Sequence, residues 1–231
     1  MSCDESGVVL IWDLRGPKPT GKLDIRAQSA RKQIFVSKDE KVVVSNDVAG
    51  CVFGAAQSSG MVSLYDASNP SSGPFIQNPR LGADLTSHCG VDTKITSIEI
   101  SVNESADGDI ILGTSGADIV SLSPVDLTFT CSLQGRKKIG KTGVLPVSIS
   151  PCGKFVAAAS EQKHHLGNVT GAPKVYETLV WDVQQKPDVK IVARWSGSSL
   201  RPVQGLQWNP VYESFASVCC AVKLFAPPSG K

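Results

Sequence analysis

The chain has 231 residues, 41% of them apolar, with 23 Lys+Arg against 21 Asp+Glu. A formal net charge of +2 excludes a polybasic nucleic-acid binder or an acidic tail protein, so no sequence-specific nucleic-acid partner is expected. The apolar fraction excludes wholesale disorder, and no apolar run reaches the roughly 18 residues of a membrane-spanning helix.

The opening residues, Met1-Ser2-Cys3-Asp4-Glu5, carry neither the basic stretch nor the apolar run of a signal peptide, which predicts an intracellular setting. From there, short runs rich in β-branched residues recur at residues 8–12, 41–44, 52–56, 61–65, 110–112, 119–122, 155–159, 179–181 and 221–225. Period-two alternation is clearest at 98–102 and 147–149. Turn clusters bound nearly every run, among them Ser58-Ser59-Gly60, Asp107-Gly108-Asp109, Pro151-Cys152-Gly153-Lys154 and Asn209-Pro210. No stretch of helical period has both a cap at its start and a Gly stop. Many short strands with turns between them predict an all-β sandwich, barrel or propeller.

Seven cysteines are scattered along the chain: Cys3, Cys51, Cys89, Cys131, Cys152, Cys219 and Cys220. No Cys-x-x-Cys occurs, and the adjacent pair Cys219-Cys220 would point to opposite faces of a strand, so no metal is expected. Buried thiol packing is the expected role, most plainly for Cys131 between Thr130 and Ser132 in an apolar run.

An internal repeat selects the propeller. Trp12-Asp13 ends one strand, Trp181-Asp182 ends another in the same apolar context, and Tyr65-Asp66 is a conservative variant. Leu122-Ser123 and Leu224-Phe225 hold the same slot in degenerate form. The slots fall 53, 57, 59 and 44 residues apart. A four-stranded repeat of the WD type takes about 40–45 residues, so most units carry insertions. The expected units are 1–15, 16–68, 69–126, 127–185 and 186–231, all in one domain. In such a repeat the aromatic packs between sheets and the Asp bonds a turn, so Trp12, Asp13, Tyr65, Asp66, Trp181 and Asp182 are read as architecture.

These units resemble the WD40-repeat β-propeller family, and within it a WD-repeat subunit shared by histone methyltransferase and phosphatase complexes. The resemblance is carried by Ile11-Trp12-Asp13-Leu14-Arg15, Met61-Val62-Ser63-Leu64-Tyr65-Asp66, Gly73-Pro74-Phe75, Leu206-Gln207-Trp208-Asn209-Pro210 and Phe215-Ala216-Ser217-Val218-Cys219. It implies a nuclear, non-catalytic scaffold in a COMPASS-type histone methyltransferase complex, or in a transcription-termination (RNA 3′-end-processing) complex with protein phosphatase type 1. It also implies about four and a half blades of a seven-bladed parent, with the chain a fragment lacking the first blades. Residues 45–51 and 162–177 stand as insertions against the family pattern. Strand edges left open at the two ends predict poor solubility of the isolated chain.

Three motifs compete with that account. Gly135-Arg136-Lys137-Lys138-Ile139-Gly140-Lys141-Thr142 fits the phosphate-loop pattern G-x-x-x-x-G-K-[ST] to the letter. That chemistry needs a helix straight after the loop, whose N-terminal N–H groups hold the phosphates. Here Gly143, Pro146 and an alternating strand follow, so a blade-to-blade loop is the expected structure and no nucleotide cofactor is expected. The same loop is the densest basic patch, with Arg136, Lys137, Lys138 and Lys141. Its functional alternative is a docking site for a phosphorylated peptide, which the family resemblance would make the RNA polymerase II tail. His164-His165 lacks a third and fourth metal ligand nearby. Asn103-Glu104-Ser105 and Asn168-Val169-Thr170 are read as chance matches to the glycosylation pattern. No catalytic constellation is found.

Overall fold

The computed structural model describes residues 1–4, 7–13, 15–25, 41–46, 51–90, 93–101, 108–137, 145–163, 174–199, 202–219 and 221–226. Within them the chain forms five antiparallel sheets in sequence order. The first holds β1 (Ser2–Cys3), β2 (Val8–Trp12) and β3 (Pro19–Asp24). The second holds β4 (Val42–Asn46), β5 (Val52–Gln57), β6 (Val62–Asp66) and β7 (Ile76–Asn78). The third holds β8 (Ile95–Ser101), β9 (Asp109–Thr114), β10 (Ile119–Leu122) and β11 (Phe129–Leu133). The fourth holds β12 (Val147–Ile149), β13 (Phe155–Lys163), β14 (Lys174–Asp182) and β15 (Lys190–Ser199). The fifth holds β16 (Gly205–Trp208), β17 (Phe215–Val218) and β18 (Val222–Phe225). Every sheet is a meander whose neighbours in sequence pair with each other, which short tight turns make the cheapest connection.

Hydrophobic clusters fill the interfaces between successive sheets, two of them at the last, where Leu145, Ala159, Tyr176 and Val203 form the second. Val9, Leu23, Phe53 and Tyr65 join the first and second sheets. Leu64, Ile98, Ile100 and Leu122 join the second and third. Ile111, Leu133, Val156 and Trp181 join the third and fourth. Ala157, Val180, Trp208 and Phe215 join the fourth and fifth. The second strands carry small residues because sheets face each other closely there: Ala157, Ala158 and Ala159 are fully buried. Gly54 has the same origin, since a Cβ there would lie 2.7 Å from Ile100 Cδ1 and 2.9 Å from Ile98 Cδ1 of the next sheet.

The structure differs from the sequence expectation in three places. A helix, α1 (Leu81–Cys89), lies between β7 and β8. Leu81 and Leu85, with half-buried Cys89, carry its apolar side, and Arg80 at its start gives no side-chain cap, which is why the pattern was not legible. Packing supplies what the local signal lacks: both leucines enter the cluster between the second and third sheets. Gly60, at φ +106°, permits that docking, for a Cβ there would meet Gly82 Cα at 2.3 Å. Second, the segment expected as an insertion at 162–177 is strand at both ends, because β13 runs to Lys163 and β14 starts at Lys174. Their register stays paired from Phe155↔Asp182 out to Lys163↔Lys174, a hairpin longer than the sheet it belongs to. Third, among the described residues thiol burial holds for Cys131 alone, while Cys51 and Cys152 are exposed and Cys3, Cys89 and Cys219 are half-buried; Cys220 lies outside the described residues.

Candidate docking surface

The first strands of the second to fifth sheets, β4, β8, β12 and β16, stand side by side, each against the next. All four carry their C-terminal ends to one mouth, where they enclose a cavity of about 440 Å³. Val44 and Ser45, Glu99 and Ile100, Ile149 to Pro151, and Gln207 with Trp208 and Pro210 line it. Ser150 Oγ is engaged by the Phe155 N–H at 2.9 Å, which closes the turn after β12. Trp208 is pinned by its indole Nε1, which donates to the Ser148 carbonyl at 3.2 Å.

Among the described residues Glu99 is the one ionisable side chain in that lining. It sits on β8 opposite in phase to Ile98 and Ile100, which face the second sheet, so its carboxyl faces the cavity and β12. Burial pushes its pKa up to about 7, and a hydrogen bond from the Ile149 backbone pulls the other way.

The repeat residues occupy equivalent places. Tyr65 faces the first sheet, stacked on Phe53 with centroids 4.9 Å apart. Trp181 faces the third sheet, and its Nε1 donates to the Gln134 carbonyl at 2.8 Å. Each thus packs on the sheet before its own, as Leu122 does in the third sheet. Trp12 holds the same place in the first sheet, where the described residues include no preceding sheet. It is therefore 41% exposed and only bonds Ser2 Oγ, at 3.0 Å, a departure from packing between sheets.

The aspartates close turns into the outer strands. Asp66 accepts from Ser68 N at 2.8 Å and Ser68 Oγ at 2.6 Å, bonds that hold its carboxyl below the usual range. Asp182 accepts from Gln184 N at 3.0 Å, and Asp13 from Arg15 N at 3.0 Å. Sequence reasoning missed a fourth member: Asp126 accepts from Thr128 N at 3.2 Å and Thr128 Oγ1 at 2.8 Å. Its signal was legible, as Asp126-Leu127-Thr128 repeats the Asp-x-Ser spacing of Asp66-Ala67-Ser68. It also missed a clamp between sheets, in which Lys186 Nζ bonds both Asp109 and Ser121 of the third sheet.

The basic segment is only partly a surface feature. Arg136 is buried, with Nη2 donating to the Leu145 carbonyl at 3.4 Å while Nε and Nη1 have no partner. Burial lowers its pKa to about 10, and the charges of Asp118 and Glu161 oppose that fall and keep it a cation at neutral pH. It is drawn inward because the chain here pairs with the end of β13: Ser160 Oγ accepts from Lys137 N at 3.0 Å, and Glu161 N donates to the Lys137 carbonyl at 2.8 Å. Lys137 is exposed; Lys138 and Lys141 lie outside the described residues, as do His164, His165 and residues 138–144 of the phosphate-loop pattern. Leu145 and Pro146 lead straight into β12, so no helix follows that loop within the described residues. Among the described residues no three His, Cys, Asp or Glu side chains gather to hold a metal ion. No helix among them is long and apolar enough to cross a membrane.

Successive antiparallel meanders, three of them four-stranded, with Tyr65-Asp66 and Trp181-Asp182 closing the third strand of their sheets, define a β-propeller fold of the WD40 type. No family model matches the sequence. The chain is similar to WD repeat-containing protein 82 of Drosophila melanogaster, 24% identical over 224 residues, which is 95% of this chain and 56% of that protein. It thus spans little more than half the length of that relative. Its fold is similar to the β-propeller domain of Myceliophteria thermophila Cps50 (Swd1), with a TM-score of 0.54 and 12% identity over 97% of this chain and 78% of that one.

Proposed function

We propose that this chain is a non-catalytic scaffold, a docking subunit of a nuclear complex that modifies chromatin or ends transcription. The partners are subunits of a COMPASS-type histone methyltransferase complex or of a complex containing protein phosphatase type 1. The observation that carries this reading is the likeness to WD repeat-containing protein 82, which runs along 95% of the chain rather than through one repeat. Rigid stacked sheets with loops on two rims suit protein docking, since the platform loses little entropy when a partner binds.

Affinity purification of the tagged chain from nuclear extract, followed by mass spectrometry, tests the proposal. Methyltransferase or phosphatase-complex subunits are the expected result, and recovery of chaperones alone would contradict it. Two other readings give distinct outcomes. A reader of the phosphorylated RNA polymerase II tail would bind a phosphopeptide with steep salt dependence, lost when Lys137, Lys138 and Lys141 are neutralised together. With Arg136 turned inward, that surface has one cation fewer than the sequence suggested. A nucleotide-binding enzyme would lose nucleotide affinity on Lys141→Ala; the scaffold has none to lose.

A further inference from the structure

We propose that the mouth formed by β4, β8, β12 and β16 is a socket for one cationic side chain, an arginine or lysine on an extended segment of a protein partner, with Glu99 as its counter-ion. The inference rests on the docking reading above and names the partner chemistry of one site within it.

Size comes first. About 440 Å³ lies within the roughly 300–1,000 Å³ of ordinary ligand sites, enough for a long side chain and its neighbouring backbone. Charge comes next. Among the described residues the rest of the lining is apolar or uncharged, so none of them sets a charge across the cavity from Glu99. Within them, no element packed on it supplies a cation: β4 brings Val44 and Ser45, β12 brings Ile149, and Ile111 stands opposite it on β9. Its own strand does not help either. Ser97 and Ser101, two residues to either side on the same face, have buried hydroxyls with no partner, so neither donates to the carboxyl. The single N–H from Ile149 leaves most of its acceptor capacity unused. Unpaired carboxylates in such places are costly, and an entering cation removes the cost. A neutral donor can fill an acceptor position but brings no charge to offset the carboxylate, and an anionic side chain is repelled.

Specificity for charge gives a test on the unmodified chain. The probes are three peptides, acetyl-Gly-Ala-X-Ala-Gly-amide, where X is arginine, lysine or the uncharged isostere citrulline, with binding followed by NMR titration. The arginine or lysine peptide is expected to bind at least tenfold more tightly than the citrulline peptide at pH 8. That preference should fall about tenfold at pH 6, where a carboxyl titrating near 7 is mostly protonated. Glu99→Gln should abolish the preference at both pH values. If that variant does not fold, the citrulline and pH comparisons on the parent chain decide alone. Equal binding of charged and uncharged peptides, or binding of none, overturns the proposal. A chain that ignores the peptides yet recovers complex subunits from extract refutes the socket and leaves the scaffold standing. A chain that binds the cationic peptide but recovers no subunit does the reverse.

Discussion

Glu99 shows how a single residue on an inner strand can trade stability for a site. Its carboxyl titrates near 7 in the folded chain against an ordinary value of 4.5, so the folded state holds a proton that the unfolded chain has already released between those values. Stability is therefore unaffected by this group below 4.5, declines as pH rises through the window, and carries the full penalty above 7. Glu99→Gln should be more stable than the parent by about 1–3 kcal/mol at pH 8, shrinking to under about 1 kcal/mol at pH 5. Urea midpoints at the two pH values check this, and a variant less stable at pH 8 would contradict it. The two tryptophans of the repeat give a second contrast. Trp181 is fully buried and hydrogen-bonded, whereas Trp12 is 41% exposed. Trp181→Ala should cost about 3–5 kcal/mol and Trp12→Ala less than about 1 kcal/mol, read as shifts in the same midpoint. The sequence made these two positions look identical, because a Trp-Asp pair carries no information about which sheet lies against it.

At the scale of elements, what packing hides is what sequence pattern missed. The buried second and third strands of the second, third and fourth sheets were legible as short apolar runs. The outer strands β3, β7 and β15 were not, for residues such as Lys22 on β3 and Gln77 on β7 leave them half polar. Helix α1 was missed because two leucines and no side-chain cap make a weak local signal, and its stability comes from the sheets it touches. Gly54 is a close contact between sheets. Gly54→Val should cost about 1–3 kcal/mol by forcing Ile98 and Ile100 away, with a lower thermal midpoint as the readout. A neutral result would mean the second and third sheets are not packed as described. The Lys186 clamp is testable at the same scale. Lys186→Ala leaves the Asp109 carboxylate with only Ser121 and should lower stability by about 1–3 kcal/mol, an effect Asp109→Asn should partly relieve in the double variant.

For the molecule as a whole, the apolar surface is uneven. Val211, Tyr212, Val218, Val222 and Leu224 are all exposed, Leu224 at 83%, and all belong to the fifth sheet or its first turn. Among the described residues that sheet has three strands where the second, third and fourth have four, and β18 is its outermost. We predict that the isolated chain self-associates through these exposed side chains, which would make it poorly soluble. A cooperatively melting, monodisperse monomer in sedimentation would contradict it. The propeller class was legible because three aromatic-Asp pairs and two degenerate slots recur along the chain, while the cavity was not, since Val44, Glu99, Ile149 and Trp208 are brought together only by stacking sheets far apart in sequence. The central claim is that this chain docks protein at the mouth of its inner strands. Hydrogen exchange of the chain, alone and in complex with its co-purified partner, tests that most directly. The account predicts protection concentrated at residues 98–101, 149–153 and 207–210. Protection absent there, or confined to 222–225 at the outer edge of the fifth sheet, would contradict it.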